Sequence, residues 1–157
     1  MDISIVPAQS EDLEIILQRQ KECYQSEAEL YNDYTIAPLT QDLASITEEY
    51  HRGVLILKGV YQGQIIGSVR GYSRDGSGYI GRLIVKPTFQ NQKLGQSLMH
   101  AIEERLSTCH RYELFTGHKS QKNLYLYQKL GYQEFRRQPV SEQLSIVYLE
   151  KYKHREE

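Results

Sequence analysis

Between Val54 and Leu106 the chain carries three apolar, β-branched runs, two tight-turn signals and a helical stripe, in that order. Val54 to Tyr61, Ile65 to Tyr72 and Tyr79 to Val85 read as strands, joined by Tyr61-Gln62-Gly63-Gln64 and by Asp75-Gly76. Leu94, Leu98, Ile102 and Leu106 then recur every fourth residue, which predicts a helix with one buried stripe. Tyr112 to Thr116 follows as a strand. The segment therefore mixes hairpins with one strand–helix–strand crossover, and an α+β or mixed α/β sheet is expected.

The flanks extend that pattern. Ile3-Ser4-Ile5-Val6 alternates and stops at Pro7, as a short strand does. Ser10 is placed to cap a helix carrying Leu13, Ile16 and Leu17, and Thr40 to cap one carrying Leu43, Ile46 and Tyr50. Ser120 to Leu130 reads as a further helix, with Gly131 as its left-handed cap, and two strands follow near 133–137 and 144–151. About seven strands and about four helices are expected, in one domain spanning residues 1–157.

Charge and composition narrow the function classes. The formal net charge of −1 offers no global attraction to nucleic acid, and no basic stripe interleaved with aromatics is present. The longest aliphatic run, Val54 to Leu57, is too short to span a bilayer, and the N-terminus lacks signal-peptide character. The two cysteines, Cys23 and Cys109, lie in no metal-ligand spacing; no metal, buried thiols and a cytoplasmic, reducing location are expected. In sequence, both cysteines lie apart from the motifs described next, so a cysteine nucleophile is not expected.

Those motifs begin with the loop between the third run and the helical stripe. The first N–H groups of a helix have no partner inside it, and together they attract a phosphate. Val85-Lys86-Pro87 leads into Gln90-Asn91-Gln92-Lys93-Leu94-Gly95, and Gly95 allows close approach. Further on stands Asn123-Leu124-Tyr125-Leu126-Tyr127-Gln128-Lys129-Leu130-Gly131-Tyr132. Loop, second motif and element order together make the chain resemble the GNAT superfamily of acyl-CoA-dependent N-acetyltransferases. The family's loop reads Gln/Arg-x-x-Gly-x-Gly/Ala, so Gln90 and Gly95 match while Lys93 replaces the first glycine. A lysine at positive φ is strained, so a negative φ is expected at Lys93.

The resemblance implies a GNAT-like, mostly antiparallel mixed sheet and acetyl-CoA as cosubstrate. It implies that backbone groups of Leu83 and Val85 hold the pantetheine arm and polarise the thioester carbonyl. Gln90, Asn91, Gln92, Lys93, Leu94, Gly95 and Gln96 would form the pyrophosphate turn, and Asn123 would contact the cofactor, a role that in many relatives falls three residues earlier, at Ser120. Tyr127 would protonate the departing CoA thiolate, its phenol being protonated at neutral pH. The general base stays open among Glu29, Asp33, Tyr72, His118, a water chain, or an amine that arrives neutral. The acceptor would be a small-molecule or peptide amine, selected by residues 24–38 and the hairpins near 61–64 and 73–78. Tyr24, Tyr31, Tyr34 and Tyr72 are candidates for an aromatic wall, and relatives commonly form homodimers. The alternative is a non-catalytic acyl-CoA-binding or regulatory module on the same fold.

Overall fold

The structure, a computed structural model, describes residues 2–90 and 93–153. In chain order its elements are β1 (Ser4–Pro7), α1 (Leu13–Cys23), α2 (Gln25–Tyr31), α3 (Ala37–Thr40), α4 (Leu43–Arg52), β2 (Leu55–Tyr61), β3 (Gln64–Arg74), β4 (Ser77–Val85), α5 (Leu94–Arg105), β5 (Arg111–Gly117), α6 (Gln121–Lys129), β6 (Gln133–Pro139) and β7 (Ser145–Tyr152). One sheet runs β1-β2-β3-β4-β5-β7-β6. Only the β4–β5 pair is parallel; the others are antiparallel.

Both expected turns form. Gln62 and Gly63 (φ 50° and 77°) join β2 to β3, and Asp75 and Gly76 (φ 51° and 83°) join β3 to β4. Positive φ at both central residues gives a turn whose twist matches the flanking strands. The helix count is higher than expected because Tyr24, at φ −85° and ψ 0°, breaks one helical stretch into α1 and α2, and because residues 37–40 add a single turn.

Two capping assignments change, and a serine at a third helix start makes no cap. The Asp12 carboxylate, rather than Ser10, serves the first helix start, accepting from Gln9 N–H at 2.8 Å and from Lys58 Nζ at 2.7 Å. Asp42 caps α4 in place of Thr40, accepting from Ser45 N–H at 2.9 Å. Ser120 precedes α6, but its hydroxyl donates to Glu27 Oε2 at 3.0 Å instead of capping the helix. Gly131 does take the left-handed conformation, at φ 99°.

The sheet is covered on both faces. Neighbouring β2 residues point to opposite sides, and they separate the two cores. Leu57 joins the larger one with Leu98, Ile102 and Leu114, whereas Ile56 joins Leu13, Ile16 and Ile46. The α5 stripe is buried as expected, each large side chain contributing about 1.5–3 kcal/mol. It lies close to the sheet because the strands below are notched: a Cβ at Gly67 would stand 2.9 Å from Ile84 O and 3.0 Å from Leu98 Cδ1.

Candidate active site

β4 carries the defect that opens the sheet. Arg70 pairs with Gly81 and Ser68 with Ile84, so Arg82 and Leu83 together oppose Val69. This extra residue is a β-bulge, and Arg82 takes φ 51° to make it. On its other side β4 pairs with β5 only at Ser77↔Arg111, Gly78↔Tyr112 and Tyr79↔Glu113. Past Tyr79 the two parallel strands part.

Lys86 N–H donates to Ile66 O at 2.7 Å, so Leu83 and Val85 turn their backbone groups to the opposite, unpaired side of the strand. Val85 C=O lies open there and accepts from Gln90 Nε2 at 3.2 Å and Cys23 Sγ at 3.4 Å. A cleft of about 660 Å³ fills the gap, bounded by Leu83, Ile84 and Val85, by the start of α5, by the first turns of α6 and by the α1–α2 junction.

The loop residues gather as expected. Gln90, Lys93, Leu94, Gly95 and Gln96 all line this cleft; Asn91 and Gln92 lie outside the described residues. The first intrahelical bond at this end runs from Ser97 N–H to Lys93 O, which leaves the N–H groups of Leu94, Gly95 and Gln96 without helical partners. A Cβ on Gly95 would meet Leu126 Cδ2 at 3.4 Å, an ordinary contact.

Lys93 departs from expectation. Its φ is +62°, so lysine occupies the left-handed conformation suited to the glycine it replaces. The strain of about 1–2 kcal/mol is borne by the fold, and the turn geometry is retained.

Asn123 lines the cleft and donates through Nδ2 to Thr116 Oγ1 at 3.4 Å. Lys122 and Lys129 line it too, on the same face of α6. Their separation by seven residues, two helical turns, held the signal that these two cations share a face. Tyr127 lies one turn beyond Asn123, 6% exposed, with its ring edge-on to Tyr132. Burial pushes its phenol well above the ordinary tyrosine range, and charge on Tyr24 or Glu27 would push it further. Tyr127 belongs to the core and does not line the cleft wall.

Tyr24 does line it, from the bridge-region backbone that separates α1 and α2. Burial raises its phenol, and the positive charges of Arg82 and Arg70 offset part of that rise. Cys23 also reaches the cleft, which corrects the expectation from its distance in sequence. Burial pushes its thiol up from 9.0 to about 11, so it stays protonated and unreactive at neutral pH.

A second cavity, of about 350 Å³, opens beside the bulge among Arg70, Tyr72, Tyr79, Gly81, Arg82 and Phe115. Its carboxylates are engaged: Glu49 pairs with Arg70 at 3.3 Å and Glu113 with Arg111 at 2.8 Å. Of the four tyrosines considered for an aromatic wall only Tyr72 lines it, stacked on Tyr79 at 5.3 Å. Tyr31 is instead buried, its hydroxyl accepting from Lys119 N–H at 2.9 Å.

The other candidate bases are placed differently. Glu29 lines the first cleft. Asp33 accepts from Thr35 N–H at 2.9 Å on the surface, and His118 Nδ1 accepts from Ser145 N–H at 2.9 Å. Among the described residues no group of three or more His, Cys, Asp or Glu is placed to hold a metal ion.

A bulged strand parting from a parallel neighbour, with a helix N-terminus at the end of the gap, is the arrangement the loop motif anticipated. The sequence profile of the Acetyltransferase (GNAT) family matches residues 13–132. The chain belongs to the GNAT family. No curated protein is similar enough in sequence to match. Among solved structures, the PaiA N-acetyltransferase of Thermoplasma acidophilum, in complex with coenzyme A, superposes with a TM-score of 0.82 at 17% identity, covering 98% of this chain and 100% of that one. The ribosomal-protein-S18-alanine N-acetyltransferase of Escherichia coli gives 0.80 at 13% identity, over 96% and 94% of the two chains. YncA of Salmonella typhimurium, with its cofactor acetyl-CoA, gives 0.75 at 18% identity, over 100% and 98%. At these identities the superpositions show the GNAT fold, a seven-stranded mixed sheet flanked by helices.

Proposed function

We propose that this GNAT protein, acting as a single acyl-CoA domain, transfers the acetyl group of acetyl-CoA directly to an amine. The observation that carries this reading is the pair of openings along bulged β4: a cleft lined by Leu83 to Val85 and ending at an α-helix N-terminus, and a second cavity lined by Tyr79 to Arg82, the next residues along the strand. Acetyl-CoA supplies an activated thioester. The N–H groups of Leu94, Gly95 and Gln96 suit its pyrophosphate, and Lys93, Lys122 and Lys129 add positive charge around them. The free backbone of Leu83 and Val85 suits the amide-rich arm, which displaces the Gln90 and Cys23 contacts if it uses Val85 C=O.

Held together, thioester and amine react by proximity. The N–C bond forms, the C–S bond breaks, and one amine proton ends on the CoA sulfur. Tyr127, which lies behind the part of the cleft wall formed by Tyr24, is the proposed donor to that sulfur, either directly once the thiol end seats against Tyr24 or through the Tyr24 hydroxyl. The raised phenol of Tyr127 is fully protonated at neutral pH and so has a proton to give. With both cavity carboxylates paired, the amine is expected to arrive neutral or to lose its proton through water.

The test is release of CoA thiol from acetyl-CoA over a panel of small amines and peptides. Tyr127→Phe should lower kcat about 10- to 100-fold while CoA affinity changes little; an unchanged kcat removes Tyr127 as the donor. The paired state of Glu49 and Glu113 favours a second reading, a binding module without turnover. Tight CoA binding with no amine acetylated would establish that reading instead.

A further inference from the structure

Resting on the amine-acetylation reading, we propose that the second cavity takes an amine that also carries a carboxylate, with Arg82 as the residue that binds that carboxylate. The charges in the cavity set up the argument. Arg52 is paired with Glu48 at 2.7 Å, Arg70 with Glu49 at 3.3 Å, and Glu113 with Arg111 at 2.8 Å. Arg82 is the cavity-lining cation left over: none of its donors has a hydrogen-bond partner among the described residues, and its Nε is buried. Arg70 Nε is buried without a partner as well, but its two terminal nitrogens are taken up by Gln41, Glu49 and Gln20.

A half-buried guanidinium whose Nε is shut off from water and which has no counter-charge is costly to keep. The bulge nevertheless puts Arg82 there, in a left-handed backbone conformation that arginine seldom adopts. The planar fork of a guanidinium matches a carboxylate in two parallel hydrogen bonds. A plain cationic amine would instead meet this uncompensated positive charge on its way in. A zwitterion resolves both problems, placing its anion on Arg82.

Position narrows the class further. Arg82 immediately precedes Leu83, whose backbone faces the acyl-CoA cleft, so amine and carboxylate should be separated by few atoms, as in a free α-amino acid. The space above Gly81, where a Cβ would meet nothing within 4 Å, leaves room for the backbone of such a molecule. Tyr72, Tyr79 and Phe115 offer apolar surface to its side chain.

The experiment compares each of the twenty amino acids with its own amide, reading kcat/KM for CoA release and equilibrium binding to the CoA-saturated protein. The amide lacks the anion yet has a more weakly basic amine, which favours it chemically. A preference for the acid therefore reports binding. We expect the best acid to exceed its amide by about 10- to 100-fold, and Arg82→Gln to abolish the difference with CoA affinity retained. Equal or better use of amides, or a preference that survives Arg82→Gln, overturns the inference while leaving amine acetylation in place. If nothing is acetylated, the proposed activity fails, and the binding comparison still decides: acid bound over amide supports the carboxylate site, and no difference overturns it. Should Arg82→Gln fail to bind CoA, Arg82→Lys serves in its place, with the acid preference reduced but present.

Discussion

Lys93 holds φ +62° where the loop motif has its first glycine, a position at which a side chain costs about 1–2 kcal/mol and glycine costs little. Lys93→Gly removes that strain but adds freedom to the unfolded chain, so it should be neutral to about 1 kcal/mol stabilising in urea titration. Lys93→Val, with a β-branched carbon at the same φ, should destabilise by more than about 1 kcal/mol. If both variants lose stability equally, the lysine's contacts outweigh its backbone. The opposing demands of turn and side chain explain why a negative φ was the natural expectation: residue identity argues for it, whereas the surrounding strand and helix decide otherwise. Cys23 teaches the same lesson. Its chain position, far from either motif, conceals that α1 delivers it to Val85 C=O. Because the folded thiol is raised from 9.0 to about 11, the folded state binds more protons between those values. Stability should therefore be full below pH 9 and fall as pH rises to about 11. Cys23→Ser should flatten this part of the pH profile in thermal melts, beyond what the tyrosines contribute.

At the scale of elements, the glycines of β3 and β4 divide into two kinds. Gly67 lies under α5 with no room for a Cβ, whereas Gly81 faces open space. Gly67→Ala should push α5 outward and destabilise by about 1–3 kcal/mol in chemical denaturation. Gly81→Ala should leave stability within about 1 kcal/mol while narrowing the second cavity, raising KM for the acceptor more than for acetyl-CoA. A large stability loss at Gly81 would contradict the open space beside it. These elements were legible where the signal was local: both two-residue turns, the i, i+4 stripe of α5 and the Gly131 cap lie within one element or its immediate flank. The caps of α1 and α4 were not, because a neighbouring Asp outcompetes Ser10 or Thr40; nor was the place of Ser120, whose hydroxyl is drawn to Glu27, 93 residues distant in sequence. The cleft beside the loop motif could be anticipated from the resemblance. The charge pattern of the second cavity could not, since Arg70, Glu49 and Arg82 come together only through pairing of β3, α4 and a bulge.

Across the whole molecule, the two parts of the sheet join through three residue pairs between β4 and β5, and Arg111 sits at that joint. Its guanidinium reaches Glu113 and Glu150 at 2.8 Å and Ser77 Oγ at 3.2 Å, tying β4, β5 and β7 together. Arg111→Leu leaves two partly buried carboxylates unpaired and should cost roughly 2–3 kcal/mol, discounted for their partial exposure. It should also weaken CoA binding, because the gap between the strands would lose its fixed angle. Loss of stability with CoA affinity intact would confine Arg111 to a purely structural part.

So narrow a seam has a consequence for how the protein opens. With few backbone bonds crossing it, the segment from β5 to β7 should be able to detach as a cooperative unit at lower free energy than global unfolding. Its amides would then exchange hydrogen for deuterium sooner than those of β2 and β3. A molecule lodged between β4 and α6 bridges both sides, so acetyl-CoA should slow exchange across β5, β6 and β7, including strands it never touches. Occupancy of the proposed acetyl-CoA cleft would thus also act as a clamp on about a quarter of the chain.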